Sequence, residues 1–373
     1  MTTSVSQSSD PSTARTIKSM LRARLGRQWR VGDKLPPVKE LAKQLGVGQT
    51  NTQLAVRELA SDGLLVSRRR QGTYVAGLPE SRNNEMFADM LAGRDVVLYS
   101  AAPTRSFIAD MMDAFTQEIE PAGASVRRAN VTDLRPNELD PDADAVVLFN
   151  PYCKEPIHCE KGQLLTVVST TRFVQVAEET RYDIVGIDEY QGGMLAGQLL
   201  RNSGCKRPCF FGRRLGSDQT RFDATSSLRL HGFEAGWGEM LPEDCLFRAD
   251  RYSPMAAAAA FQCFLEAEDR PDAIFAVSDD MAFGILVAAN SHGLVPGKDF
   301  QIVGFDGQDG RNLIGEMALS TVRVPGEQLG RRAARMLMER FNEPNRPTDR
   351  LSLECIVHHG DTTRHATDRG NLS

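Results

Sequence analysis

Three groups of side chains in this sequence have types and spacing that suit recognition chemistry. The first is "QTNT", Gln49, Thr50, Asn51 and Thr52. Asn and Gln pair donors with acceptors as adenine requires, and a Thr methyl fits against the methyl of thymine. The second is a run of arginines, Arg68, Arg69 and Arg70, followed by "QGTYV" with Gly72 and Thr73. Clustered guanidinium groups suit phosphates or a narrow minor groove. The third is "QIVGFDG", Gln301 to Gly307, an apolar run that ends on the carboxylate of Asp306. A charge inside a strand is costly unless paired. Just past the strand end it can accept hydrogen bonds from a ligand bearing hydroxyls or amines. Each group also has a plain alternative. The polar quartet can merely cap a helix, the arginines can be solvated surface, and Asp306 can cap the next segment or pair with a structural arginine.

The surrounding patterns say which elements must hold these groups. Ile17, Leu21 and Leu25 recur at helical spacing. Leu41 and Leu45 fit a second helix, and Leu54, Ala55 and Leu59 a third that opens with the polar quartet. Gly46 lies between the two, where a tight turn needs positive φ. That is a helix-turn-helix, whose second helix offers its first residues to base edges. "LLVSRRRQGTYVAG" then reads as two strands around a turn, with the arginines at its lip. From Asp95 onward, short apolar runs such as "DVVLYS", "ADAVVLF", "YDIVGID", "DAIFAVS" and "QIVGF" alternate with helical patterns. This alternation predicts parallel sheets covered on both faces by helices. Ligands of such sheets sit outside the carboxyl ends of the strands, where Asp306 falls.

Composition narrows the function. The 373 residues suit two or three domains. Residues 1–77 hold 13 Lys+Arg and 5 Asp+Glu, whereas residues 78–373 hold 31 and 44. A basic head on an acidic body fits a partner that is a polyanion, here double-stranded DNA. No apolar run is long enough for a membrane helix, and "MTTSVSQSSDPSTA" lacks the pattern of a secretion signal, so a cytoplasmic protein without a membrane partner is expected. The seven cysteines are read as reduced thiols, and no Cys/His spacing suits zinc. There is no GxSxG, P-loop or GxGxxG, and no histidine has a nucleophile partner. An enzyme, a catalytic residue, a metal and a cofactor are therefore not expected.

Residues 15–77 resemble the winged-helix domain of the GntR family of bacterial transcription regulators, through "GDKLP", "KELAKQLGV", "AVRELASDGLL" and "QGTYV". The resemblance implies that Lys39 contacts phosphate or base. Where the family commonly has Ser-Arg, this chain has Gly48 and Gln49, so it cannot make that arginine's bond to guanine. The second half, roughly residues 183–357, resembles the effector domain of the lactose-repressor (LacI) family, itself similar to periplasmic sugar-binding proteins, and Asp95–Val168 is compatible with it. The carrying stretches are "IDEYQGGMLAGQLL", "SSLRLHGFEAGW", "DAIFAVSDDMAFGILVAANSHGLVPGKDFQIVGFDG" and "LSTVRVPGEQLGRRAARMLM". A GntR-type head on such a body is the layout of AraR-type repressors.

The resemblance implies a winged helix-turn-helix followed by an α/β two-lobed, periplasmic-binding-protein-like domain with parallel sheets. The expected division is a disordered 1–14, a head at 15–77, a linker at 78–94, a two-lobed body at 95–360 and a tail at 361–373. Chain crossings between lobes are expected near Ser203–Pro208, Thr321–Pro325 and Pro347–Leu351. Arg229 and Asp306 match the family's ligand-binding arginine and aspartate, and Ser278 stands where some relatives place a polar contact. Asp279 is placed to cap the helix starting near Met281 and joins the candidate effector residues. Phe222 is a candidate for stacking on a sugar face, and Ser100 and Phe107 for lining the other lobe. Arg213, Arg214 and Arg221 bring more positive charge than a neutral sugar needs, which admits a phosphorylated or acidic effector. The expected partners are an operator, a small sugar-like effector and a second copy of the chain, as a homodimer. The competing reading is a cleft that senses a protein or nothing.

Overall fold

The computed structural model describes residues 14–25, 28–30, 32–61, 64–68, 72–75, 90–100, 106–130, 139–151, 156–160, 162–169, 176–178, 180–218, 220–267, 269–308, 315 and 317–364. The chain divides into two units between Met86 and Phe87. In the first, α1 (Ala14–Arg24), α2 (Val38–Leu45) and α3 (Gln49–Ser61) precede an antiparallel hairpin of β1 (Leu65–Arg68) and β2 (Gly72–Val75). Ile17, Leu21, Leu25, Leu41, Ala55, Val56 and Leu59 share its apolar core. Leu54, expected among them, is 47% exposed, because the buried stripe of α3 runs through Thr52, Ala55, Val56 and Leu59. Gly46 ends α2 in the left-handed conformation at φ 67°. The hairpin gains a third edge: Leu35 N donates to Thr73 O at 2.8 Å and Val75 N to Asp33 O at 2.9 Å.

The second unit carries two six-stranded sheets. Lobe 1 has the order β13-β7-β6-β5-β3-β4, from β3 (Asp95–Ser100), β4 (Ser125–Asn130), β5 (Ala145–Phe149), β6 (Leu164–Ser169), β7 (Tyr182–Ile187) and β13 (Arg350–Leu353), all parallel. It packs against α4 (Ser106–Ile119) and α9 (Gly326–Asn342). Lobe 2 has the order β14-β12-β11-β10-β8-β9. Its strands are β8 (Pro208–Arg213), β9 (Leu246–Ala249), β10 (Ala273–Ala276), β11 (Gln301–Asp306), β12 (Ser320–Arg323) and β14 (Ile356–His358), the last antiparallel to β12. Helices α5 (Glu189–Asn202), α6 (Ala224–Trp237), α7 (Pro254–Glu266) and α8 (Asp279–Ser291) complete it. Strands such as β5 and β10 are buried along their whole length, as sheets covered on both faces require.

Two lobe crossings differ from expectation. The first falls at Asp188, between β7 and α5, because α5 packs on α6 and β11 of lobe 2 rather than on lobe 1. The second, at Val324–Pro325, falls where it was expected. The third is Glu354–Cys355, between β13 and β14, a few residues later than expected. The body also reaches beyond both expected ends. Leu91 is fully buried in its core, and Leu91 N donates to Ala122 O at 2.7 Å. Thr362 and Thr363 are buried, and Thr362 Oγ1 donates to Ile302 O at 2.8 Å. Among the described residues no helix is long and apolar enough to cross a membrane.

Candidate functional site

The head presents polar side chains at the start of α3. Gln49 and Thr50 are exposed, Asn51 is half-exposed, and Lys39 is exposed in the first turn of α2. Thr52 is a correction to the expected set. It is fully buried on the inward stripe of α3, and its hydroxyl donates to Gly48 O at 2.9 Å. That bond ties the helix start together and leaves nothing for a base. In the wing, Arg68 closes β1 opposite Gly72. Arg69 and Arg70 lie outside the described residues. Gly72 adopts φ 112°, and a Cβ there would lie 2.7 Å from Lys34 Cε. Lys34, which sequence reading passed over, is exposed and sets its ammonium 6.0 Å from the centre of the Tyr74 ring. It therefore joins Gly72 and the half-exposed Thr73 on the turn side of the hairpin.

In the body the polar centre lies at the carboxyl ends of β10 and β11. Arg229 is 3% exposed on α6. Its Nε donates to Glu189 Oε2 at 2.5 Å and its Nη1 to Val277 O at 2.5 Å. Nη1 lies 3.8 Å from Asp306 Oδ1, and the guanidinium stacks 3.4 Å above the centre of the Phe305 ring. The close approach of α5 to α6 makes the Glu189–Arg229 pair. A Cβ at Gly193 would fall 2.1 Å from Arg229 O, so only glycine lets the two backbones meet.

Asp306 is 3% exposed and holds φ at 117°, a left-handed region that side chains rarely adopt. Strain of this kind, about 1–3 kcal/mol, is kept only where the surroundings impose it. Here they do. Asp279 accepts Gly307 N at 2.7 Å, Gln308 N at 2.6 Å and the Thr321 hydroxyl at 2.7 Å, clamping the turn after β11. Its carboxylate fits because Gly304 has no side chain; a Cβ there would lie 2.1 Å from Asp279 Oδ1. Asp279 thus anchors the Asp306 turn rather than capping α8, the role expected of it. Ser278 is the cap, accepting Met281 N at 3.4 Å.

Electrostatics follow from burial. Glu189 is pushed up to about 7, by desolvation and the nearby Asp306 carboxylate against the pull of Arg229. One guanidinium does not neutralise both acids. Asp279 is held well above the usual carboxylate range by burial and by Asp306. Glu189 Oε1 is buried without a hydrogen-bond partner among the described residues.

Two aromatic candidates are corrected. The Phe222 ring meets Phe210 edge-on at 5.1 Å and carries the Arg248 guanidinium 4.5 Å from its centre, so it is spent on packing. Phe107 is 4% exposed on the inward face of α4, beside Ile108, Met111 and Phe115 in the core. Ser100 ends β3 and is buried, at the carboxyl edge of the lobe 1 sheet. Tyr252 is the aromatic that sequence reading missed. Its hydroxyl donates to Asp223 Oδ2 at 2.7 Å and lies 3.2 Å from Ser226 Oγ, and the Arg213 guanidinium sits 5.3 Å from its ring centre. Arg213 in turn pairs with Asp223 at 3.2 Å, which takes up part of the positive charge noted in this segment. The available signal was position alone: Tyr252 lies just past the carboxyl end of β9, as Asp306 stands at the carboxyl end of β11.

Residues 13–75 match the gntR family of bacterial regulatory proteins, and residues 198–363 match the periplasmic binding protein-like domain. The chain is similar to the HTH-type transcriptional repressor PurR of Mannheimia succiniciproducens, 27% identical over 180 residues, covering 47% of this chain and 52% of that one. The PurR of Escherichia fergusonii is 31% identical over 163 residues, covering 43% and 45%. The chain spans about half the length of these curated relatives. Among solved structures, a LacI family transcriptional regulator of Enterococcus faecium with bound ribose aligns with TM-score 0.58 at 17% identity, covering 72% of this chain and 98% of that one. A transcriptional regulator CelR–cellobiose complex aligns with TM-score 0.56 at 21% identity, covering 88% and 100%. The curated relatives are HTH-type transcriptional repressors, and the two solved structures are transcriptional regulators. The chain thus joins a head that matches the gntR family of bacterial regulatory proteins to a body that matches a periplasmic binding protein-like domain, and transcriptional repressors are among its relatives.

Proposed function

We propose that this chain is a cytoplasmic repressor that binds a two-fold operator as a dimer and responds to a small sugar or sugar derivative between the lobes of its body. The observation that carries the effector reading is the buried Arg229–Glu189–Asp306 cluster, one residue past the lobe crossing at Asp188. Arg229 offers a fork of donors suited to a vicinal diol, and Asp306 an acceptor held in a strained turn. Ser278, Asp279 and Ser100 complete the candidate set, with Tyr252 as the aromatic neighbour. Solved regulators of the same fold hold ribose and cellobiose, which supports a carbohydrate here.

A ligand that touches the cluster biases the angle of the lobes, because the crossing strands leave from the same place. It shifts operator binding only insofar as it binds the two lobe arrangements unequally. Coupling of this kind is about 1–3 kcal/mol, or roughly 5–150-fold in operator affinity. In the head, Lys39, Gln49, Thr50, Asn51, Gly72, Thr73 and the Arg68–Arg70 run are the proposed DNA-facing residues. One winged helix reads a half-site, so tight binding calls for paired heads.

The test is thermal unfolding of the full chain against a panel of neutral sugars. A cleft binder raises the melting temperature with concentration by mass action. Asp306→Ala is expected to abolish that response and to leave binding to a selected operator fragment unchanged. A sugar response of wild-type size in the variant refutes the site.

A further inference from the structure

A cavity lies outside the effector cluster, at the carboxyl ends of β8 and β9. It measures about 540 Å³ and is lined by Arg214, Arg248, Arg251 and Ser253, with Ala256, Ala259 and Ala260 of α7 on the remaining side. The alanines leave the room that larger side chains would fill. We propose that this cavity is an anion site that takes the phosphate group of a small molecule, separately from the Arg229–Asp306 cleft.

The charges around it are incompletely answered by the protein. Arg214 makes no ion pair among the described residues; its backbone N–H donates to Ala249 O at 2.9 Å, fixing it at the sheet edge. Among the described residues Arg251 pairs with its chain neighbour Asp250, at 3.2 Å with the two side chains 68% and 44% exposed, a contact worth little. Arg248 is 10% exposed; its Nη1 reaches Glu243 Oε1 at 2.8 Å and Leu246 O at 3.1 Å, its Nη2 donates to Thr220 O at 3.0 Å, and it lies over the Phe222 ring. Its Nε is buried without a hydrogen-bond partner among the described residues. With Arg248 held by Glu243 and by Thr220 O and Leu246 O, and with Arg251 beside the Asp250 carboxylate that also lines the cavity, the guanidinium of Arg214 leaves positive charge in a concave site. Arginine forks bind phosphate oxygens in pairs, and the carboxyl edge of a parallel sheet is where α/β folds take ligands.

The wall between the two sites is the 250–253 segment. The Tyr252 hydroxyl turns toward Asp223 and Ser226, on the Arg229 side, while Arg251 and Ser253 line the cavity. The anion site does not rest on the sugar reading of the cleft and can stand if that reading falls.

The test uses the full chain in a phosphate-free buffer at fixed ionic strength, with inorganic phosphate and glucose 6-phosphate as probes against chloride. Both probes are expected to raise the melting temperature saturably. Arg214→Gln and Arg251→Gln each remove a charged donor and are expected to weaken the probes about tenfold. Asp306→Ala is expected to leave the phosphate response intact, which separates this site from the cleft. Equal affinity for the two probes supports a site for free phosphate; tighter glucose 6-phosphate supports one for a phosphate ester. The proposal is overturned if neither probe stabilises more than chloride, if both arginine variants respond like wild type, or if Asp306→Ala abolishes the response.

Discussion

The two recognition regions handle their polar groups in opposite ways. In the head, Lys39, Gln49 and Thr50 stand exposed on helix starts, outside the apolar core. In the body, Arg229, Glu189, Asp279 and Asp306 are all buried; Arg229 is spent on Glu189, Val277 O and Asp306, and Asp279 on the turn that holds Asp306. A surface that meets a polyanion works through charge left unanswered. A cleft that discriminates among small molecules works through groups already fixed in place. Changes in the head should therefore alter binding with little effect on stability, and changes in the cluster should alter both.

The largest expected effect tests the body side of that contrast. Arg229→Leu strands two buried acids and should destabilise the body by about 3–5 kcal/mol, read from urea unfolding. A drop of less than about 1 kcal/mol would mean the cluster is better hydrated than its burial implies. Next comes pH. Glu189 has a folded pKa of about 7, above its ordinary 4.5, so the folded state holds the proton more tightly than the unfolded chain. Stability should be greatest below about pH 4.5 for this group and fall as pH rises through 7, by on the order of 3 kcal/mol at about 1.4 kcal/mol per unit. Glu189→Gln should flatten that slope in unfolding midpoints taken from about pH 5 to 8. An unchanged slope would move the proton elsewhere.

The head side predicts smaller changes in stability. Replacing Arg68–Arg70 with alanine should weaken binding to every DNA sequence. The slope of log affinity against log salt should fall by about 0.9 for each phosphate no longer neutralised. Gln49→Ala should shift unfolding by less than about 0.5 kcal/mol while costing about 1–3 kcal/mol of discrimination at one base pair. If Gln49→Ala destabilises the head instead, the polar quartet is a helix start and not a reader.

The sequence made some of this legible and hid the rest for physical reasons. Asp306 sits in a local pattern, a buried strand with a charged end, and Arg229 is reached through the resemblance of its stretch to the lactose-repressor family. Glu189 and Tyr252 sit in no such pattern. Glu189 reaches Arg229 only because Gly193 and Gly232 let α5 and α6 touch backbone to backbone, which no local periodicity reveals. Thr52 looked like its three polar neighbours, and only the phase of the buried stripe on α3 shows that it points inward. Alternating strands and helices announced two sheets but not which sheet α5 covers, so the first lobe crossing was placed at the wrong end of that helix.

The late crossing at Glu354–Cys355 has a consequence for how the molecule is made. Lobe 1 waits for β13 to complete its sheet, and lobe 2 waits for β14 and for Thr362 beside β11. A nascent chain still short of Arg350 on the ribosome lacks an edge in both halves. The body can therefore close only after Thr362 has emerged, by which time the head, whose core lies wholly within the first 75 residues, can already have folded.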